Sequence, residues 1–469
     1  MGGTAMHRLR RIWHALTAGT TEPWREALDE SAPRPLGEDE ALLIAGAALV
    51  DVVTRWNAWV YRRVDSVHPL VGERGRRRQS LDCLPTPDPA LAFHPEERGF
   101  TSPHDLRGQI MVPLAYIKKE PLREFDARGP DGSILPVLGA ADTTRYGVAM
   151  VRSELMRTNS HVPGDLIPLI EEIVGPARDE KSLSEVDELV TRGRWLGCVR
   201  ADPRVFEGND AGELLRMLVG RFLLIGLIDS QRAGSRQVLK YSYDWHVEGL
   251  PPQHFFLSLK VALGWSRRTI EVPLEAASAA ASYHLEFQTP PEARCTLLRL
   301  PGESGPDSLF DDSRKPVTHV HGHYDQQPEE NGELVVDLPF RGIRMTATVA
   351  AAFSFLTTLL ALVLPGAEAV WRSEPEGPAT VLLVAPAVLL ALVASRGESA
   401  LVREPMNILR FAVLSSAVSL FLVAASLVGE LQDGWLQTLW WGVTVWNGIL
   451  FTTLLIGRQI SEKTTPDLT

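Results

Sequence analysis

Cysteine is scarce in this chain: Cys83, Cys198 and Cys295 are an odd set scattered through 469 residues, with no CxxC pair among them. That excludes a disulfide framework and a cysteine-based zinc site, and it fits a reducing cytosol. Also missing are a P-loop, a GxSxG nucleophile elbow, an HExxH zinc pair and a dinucleotide-binding glycine fingerprint. The common enzymes built on those devices are excluded, and no motif implies a cofactor. Residues 1–19 are basic at Arg8, Arg10 and Arg11 but hold no apolar segment ahead of a small-residue cleavage site, so no secretory signal is expected. Lysine occurs only 7 times against 40 arginines, a skew that points to codon bias in a GC-rich bacterial genome. A formal net charge of -11 makes the whole chain a poor match for nucleic acid, and no such partner is expected.

Charge is absent altogether from four apolar runs near the C-terminus, at 345–364, 378–395, 411–428 and 436–456. A helix rising ~1.5 Å per residue needs about 20 mostly apolar residues to cross ~30 Å of hydrocarbon, and each run comes close. A C-terminal four-helix transmembrane bundle is therefore expected over 341–469, with the lipid bilayer as its partner. Basic residues alternate between the connecting segments. Arg341, Arg344, Arg396, Arg403, Arg410, Arg458 and Lys463 fall on one side and only Arg372 on the other, seven against one. Cytoplasmic segments carry the excess, so the large N-terminal region and the short tail are expected in the cytoplasm of a multipass cell-membrane protein. Trp371, Trp435, Trp440 and Trp441 lie near the opposite ends, at the outer headgroup level. The missing ionisable side chains argue against a coupled transporter. Hydroxyl residues and Asn447 instead suit helix packing and a homo-oligomer, with Asn447 expected at a helix–helix contact and Pro386 expected to bend the second span.

The region before the spans reads as α+β. Residues 1–105 are helical and irregular, with an amphipathic helix over 40–63 marked by Leu42, Ala45, Leu49, Val52, Trp56 and Val60 at steps of three and four. Its apolar part, 41–53, is too short to span a membrane. Residues 71–95, rich in Pro and Arg, are expected to be a surface linker. Residues 106–232 form a mixed α/β part. It has a strand over 109–117, a hairpin around Gly129-Pro130-Asp131-Gly132, a helix capped by Asp142 or Thr143, a shorter helix through Ile173, and a long core helix over 211–228. Residues 233–340 hold six strand-like runs, at 237–247, 268–273, 282–288, 295–300, 317–324 and 333–338. They suggest a small antiparallel β-sandwich-like juxtamembrane domain. Only residues 339–344 separate its last strand from the first span, so a signal in the β-domain is expected to reach the helices mechanically.

Few residues offer chemistry. His319, His321 and His323 alternate on one predicted strand, so the imidazoles share a face and are candidate metal ligands. A flat strand sets the outer two about 13 Å apart at ~3.3 Å per residue, so all three reach one ion only across a bulge, for which Gly322 is the candidate position. The competing expectation is a set of sheet-surface histidines. Tyr241, Tyr243 and Trp245 share one face of another strand, either as a ligand platform or as packed core. Asp244 and His246 point the other way together, either as a polar pair or as a catalytic dyad. The cluster Arg74, Arg76, Arg77 and Arg78 is a candidate for anionic lipid headgroups, each contact being worth about 1 kcal/mol, against the alternative of a solvated loop.

The hairpin segment 123–136, the strand Ser282-Tyr283-His284-Leu285-Glu286 and the polar insert 395–403 follow one another in a familiar order. Together they resemble uncharacterised bacterial multipass membrane proteins with a large cytoplasmic N-terminal region and four C-terminal transmembrane helices. The resemblance covers the last two thirds of the chain and implies architecture, with no activity or site residue carried over. Three function classes follow. The first is a membrane-anchored cytoplasmic module without enzymatic activity, binding an unknown protein or small ligand, its bundle serving as anchor and oligomerisation device. The second is a membrane effector of a stress or defence response that permeabilises the bilayer. The third is an enzyme built around Asp244, His246 and the histidine strand.

Overall fold

The computed structural model describes residues 38–463 apart from 71–73, 87–90, 94–107, 160–161, 177–181, 247–254, 273, 275–276, 278, 302–316, 324–331, 340–341, 364–383, 385–399 and 429–432. Expectations for residues 1–37 and for the second apolar run, of which only Val384 is included, lie outside the described residues.

Helix α1 (Glu38–Thr54) and the short α2 (Trp56–Trp59) lead into strand β1 (Val60–Pro69). The helix predicted over 40–63 thus stops early. A register shift between Val60 and Arg62 lets the chain bend into a sheet, where burial then alternates residue by residue. Strand β2 (Arg74–Cys83) replaces the expected linker. Its arginines are accommodated because neighbouring strands supply counter-charges, which the local sequence does not reveal. Strands β3 (Ala92–Phe93), β4 (Gln109–Lys118) and β5 (Arg123–Arg128) follow, and β5 ends in the expected turn, closed by a bond from Gly129 N to Ser133 O at 2.9 Å.

Four helices come next in part: α3 (Ala140–Thr158), α4 (Leu166–Val174) and α5 (Leu183–Arg192), then the short strands β6 (Arg194–Trp195) and β7 (Cys198–Val199), then α6 (Ala211–Gly220). Helix α3 begins ahead of Asp142 and Thr143, so neither is its cap; Thr143 Oγ1 bonds back to Gly139 O at 2.9 Å. The helix expected over 211–228 ends at Gly220 and continues as strand β8 (Arg221–Asp229). That strand is buried on both faces, so its apolar run shows no period of two and mimics a core helix. The rest comprises β9 (Gln237–His246), α7 (Phe255–Leu263), β10 (Arg268–Val272), β11 (Tyr283–Gln288), β12 (Arg294–Arg299), β13 (Val317–Gly322), β14 (Gly332–Asp337), and the long helices α8 (Ile343–Val363), α9 (Ala400–Val428) and α10 (Asp433–Lys463).

The six strands expected to make a self-contained juxtamembrane sandwich fall in two sheets, the larger of which also takes in β1, β2 and β5 from before residue 233. Strands β9, β11 and β13 join a six-stranded sheet ordered β13-β11-β1-β2-β9-β5, whereas β10, β14 and β12 form a sheet of three. Every neighbour in the larger sheet is antiparallel except β1 and β11, which run parallel with Arg63 opposite Tyr283. Strands β3, β4 and β8 form a second three-stranded sheet.

One face of the large sheet covers two cores in succession. Leu81, Cys83, Leu239, Tyr241 and Tyr243 pack with α1, the α3–α6 helices and strands β4 and β8. Val67, Tyr283, Leu285, Phe287 and Val320 pack instead with the β10-β14-β12 sheet, and the same core takes in Ala347 and Ala350 of α8, Met406 and Val413 of α9 and Leu454 of α10. Between the two cores lies a buried polar network. Asp65 accepts from Arg77 Nε at 2.9 and 3.0 Å and from Tyr283 Oη at 2.8 Å. Arg63 donates to Gln79 Oε1 at 2.6 Å and to Leu114 O at 2.7 Å.

Among the described residues, three helices are long and apolar enough to cross a membrane: α8, α9 and α10, over Ile343–Leu360, Val402–Ser426 and Gln437–Ile460. Their outward faces are apolar, with Val349, Phe353, Leu356, Phe411, Val418, Phe421 and Ile449 exposed. Asn447 is fully buried and donates to Val443 O at 3.0 Å, as expected of a residue held inside the bundle.

Asp65→Ala leaves the Arg77 guanidinium buried without its counter-charge and is expected to lower stability by about 3–5 kcal/mol. The double variant Asp65→Leu with Arg77→Met removes both charges and is expected to recover most of that loss. Chemical unfolding of the full chain in detergent, followed by circular dichroism, measures both; equal midpoints for the single and double variants would contradict the role of the pair.

Candidate functional site

The opposite face of the six-stranded sheet is polar. Alternation along the strands turns Arg62, Ser66 and His68 of β1, Arg76 and Arg78 of β2, Ser242 and Asp244 of β9, His284, Glu286 and Gln288 of β11, and His319 and His321 of β13 to this side. Pairing then aligns them in rows. Val64, His284 and His321 lie opposite one another, and the next row is Ser66, Glu286 and His319.

The histidines meet diagonally across β11 and β13. His284 Nδ1 and His319 Nε2 are 2.9 Å apart, and His284 Nε2 lies 3.0 Å from Ser282 Oγ. The His284 ring also stands 5.7 Å from that of His321, centroid to centroid. A hydrogen bond between two imidazoles needs one donor and one acceptor, so both rings cannot be cationic while it exists. Half-burial, together with the Arg62 guanidinium and the two neighbouring imidazoles, holds His284 down to about 4. His319 is also lowered, chiefly by burial, with Glu286 acting in the opposite direction. Glu286 in turn accepts from Ser66 Oγ at 2.5 Å, and His68 bonds to Gln288.

The sequence-derived candidates are distributed differently from the expectation. His319 and His321 share the polar face, whereas His323 lies just beyond the end of β13, its ring 6.3 Å from that of His321. The third ring at the cluster comes from His284 on the neighbouring strand. Among the described residues, no group of three or more His, Cys, Asp or Glu side chains is placed to hold a metal ion. Tyr241 and Tyr243 are buried core residues with parallel rings 6.3 Å apart, Tyr241 bonding to Gln79. The side chain of Trp245 lies outside the described set. Of the four arginines, Arg77 is sealed inside with Asp65. Arg76 is held by Asp244 at 3.1 Å, Ser242 Oγ at 3.0 Å and Glu124 O at 3.1 Å, which leaves Arg74 and Arg78 as the exposed pair. Asp244 is thereby committed to Arg76.

His284 was legible only through strand pairing. Its own segment alternates correctly, but nothing local announces that β13 will lie beside it. The face offers hydrogen-bonding imidazoles, the Ser282 hydroxyl, the carboxylates of Glu286 and Asp244, and guanidinium groups. Burial pushes the Cys83 thiol, on the other side of the sheet, up to about 12. No protein-family model matches the chain, and no curated protein matches it.

An unfolded histidine titrates near 6.5, while His284 in the folded chain does so at about 4. Between those values the unfolded state binds more protons, so this contribution is intact above about pH 6.5 and stability falls as the pH drops toward 4. His284→Gln is expected to flatten that slope. Denaturation midpoints measured from pH 7 to pH 4 provide the check, and an unchanged slope in the variant would refute it.

Proposed function

We infer that the chain is a membrane-anchored module without enzymatic activity. Its large region faces the cytoplasm, the polar face of the six-stranded sheet binds a protein or small ligand, and a C-terminal bundle of four helices anchors it and supports self-association. The observation that carries this reading is the second core, in which buried side chains of both sheets and of α8, α9 and α10 form one cluster. A sheet joined in this way to apolar helices is held against the bilayer surface rather than tethered to it.

The ends of the helices support a fourth crossing. Ala347 and Ala350 lie in the sheet-side core, while Leu362, near the other end of α8, packs against Leu420, Val423 and Trp440. Helix α9 then starts again at the sheet side with Val402 and Met406. Between Val363 and Ala400 the chain has to return the length of the 21-residue α8, about 31 Å, which a span over 378–395 would accomplish. The basic excess on the sheet side supports the cytoplasmic orientation.

A second reading, a membrane effector of a stress or defence response, is favoured by the bundle interior. Ser354, Thr358, Ser416, Thr444 and Asn447 are all buried there, and Ser416 Oγ and Asn447 Oδ1 have no hydrogen-bond partner among the described residues. Such a lining can hydrate if the helices part.

Cys198 is exposed, whereas Cys83 and Cys295 are buried, so the native chain carries its own topology probe. A membrane-impermeant maleimide is expected to label Cys198 only after cells are permeabilised; labelling in intact cells would overturn the orientation. Overproducing the full chain while following membrane potential separates the two functions. An unchanged potential is the expected outcome for an anchor, and depolarisation would favour the effector.

A further inference from the structure

We propose that α7 is an interfacial helix whose exposed apolar residues insert into the headgroup layer of the bilayer, on the side where α8 and α9 begin and α10 ends. This rests on α8, α9 and α10 being membrane spans. Phe255, Phe256 and Leu257 in the first turn are 65%, 73% and 40% exposed, and Trp265, just past the helix, is 40% exposed. Large apolar side chains left in water forfeit the stabilisation that burial would bring, so a contiguous group of them calls for a cover.

The rest of α7 determines what that cover is. Val261, Ala262 and Leu263 are buried in the core shared with the long helices. Ser258 Oγ donates to Glu404 at the start of α9 at 2.9 Å. At the other end, Leu263 O and the Trp265 ring press on Gly457 near the end of α10, where any side chain would overlap the Leu263 carbonyl. Gly264, with φ +83, turns the chain directly over the Arg344 guanidinium at the start of α8. Helix α7 and the turn that follows it therefore touch all three long helices at the ends of their apolar segments.

Length and chemistry fit the same occupant. Nine residues make about 14 Å of helix, too short to span a bilayer but adequate to rest at its surface. Phenylalanine, leucine and tryptophan beside the exposed Lys260 are the side chains that settle at the boundary between acyl chains and anionic headgroups.

The test uses the full chain with Cys198→Ser and a nitroxide attached at Phe256→Cys. It is reconstituted in vesicles of phosphatidylcholine and phosphatidylglycerol, and collision with oxygen is compared with collision with a water-soluble nickel chelate. Two reference labels accompany it, at Val418→Cys on the exposed face of α9 and at Ile134→Cys on the exposed surface remote from the helices. The expected result is oxygen-dominated relaxation at 256 and 418 and nickel-dominated relaxation at 134. A nickel-dominated signal at 256 with an oxygen-dominated one at 418 overturns the proposal alone. Nickel access at 418 overturns the membrane spans and the proposal together. Shielding of 256 from both reagents also overturns it, by showing a protein cover; dipolar broadening that disappears on dilution with unlabelled chain would identify that cover as a second copy.

Discussion

A guanidinium and a carboxylate shut away from water lose several kcal/mol of hydration apiece, and only well-aimed partners restore it. Arg77 and Asp65 meet that requirement at the middle of the six-stranded sheet, with the Tyr283 hydroxyl as the third member. The three residues belong to β2, β1 and β11, so the bond set fixes the register of three neighbouring strands at once. A slip of one residue would turn Asp65 or Arg77 to the other face and carry His284 and Glu286 inward. The arrangement of imidazoles on one side of the sheet is thus held by a charge pair on the other.

The same sheet explains how a soluble architecture meets an apolar bundle without an open seam. Its inner face first covers the helical layer and then, past the polar network, the core that includes α8, α9 and α10. At that boundary Arg344 is buried and donates to Leu338 O, so the chain leaving β14 is clamped as it enters the first long helix. Arg268 is also buried, and burial disfavours its charge, with the Glu404 carboxylate acting in the opposite direction.

Where side-chain period and burial agreed, the sequence was a good guide. All six runs expected as strands between 237 and 338 are strands, and α3, α4 and β4 lie close to their expected positions. It misled where local pattern and long-range pairing disagree. The run 222–228 has the continuous apolarity of a core helix because both faces of β8 are covered. Residues 74–83 look like a solvated loop because the acids that neutralise them, Asp65 and Asp244, are 12 and 168 positions away. At the candidate site, alternation along β13 accounts for His319 and His321 sharing one face. The third ring could not be found without knowing that β11 pairs with β13. Helix α7 was missed altogether: its aromatic start resembles a strand, and its partners are far along the chain.

The parallel pairing of β1 with β11 has a consequence for how this chain is made. Ser66 and Glu286 are 220 residues apart, so a ribosome releases β1 long before its partner exists. Through that interval the growing polypeptide has β2 to protect one side of β1 and nothing permanent for the other, an open edge of the kind that recruits unwanted strands. Its closure comes only as 283–322 emerge, immediately ahead of the first apolar helix. Completion of the sheet and emergence of the first helix long and apolar enough to cross a membrane are therefore nearly simultaneous events in the life of each molecule.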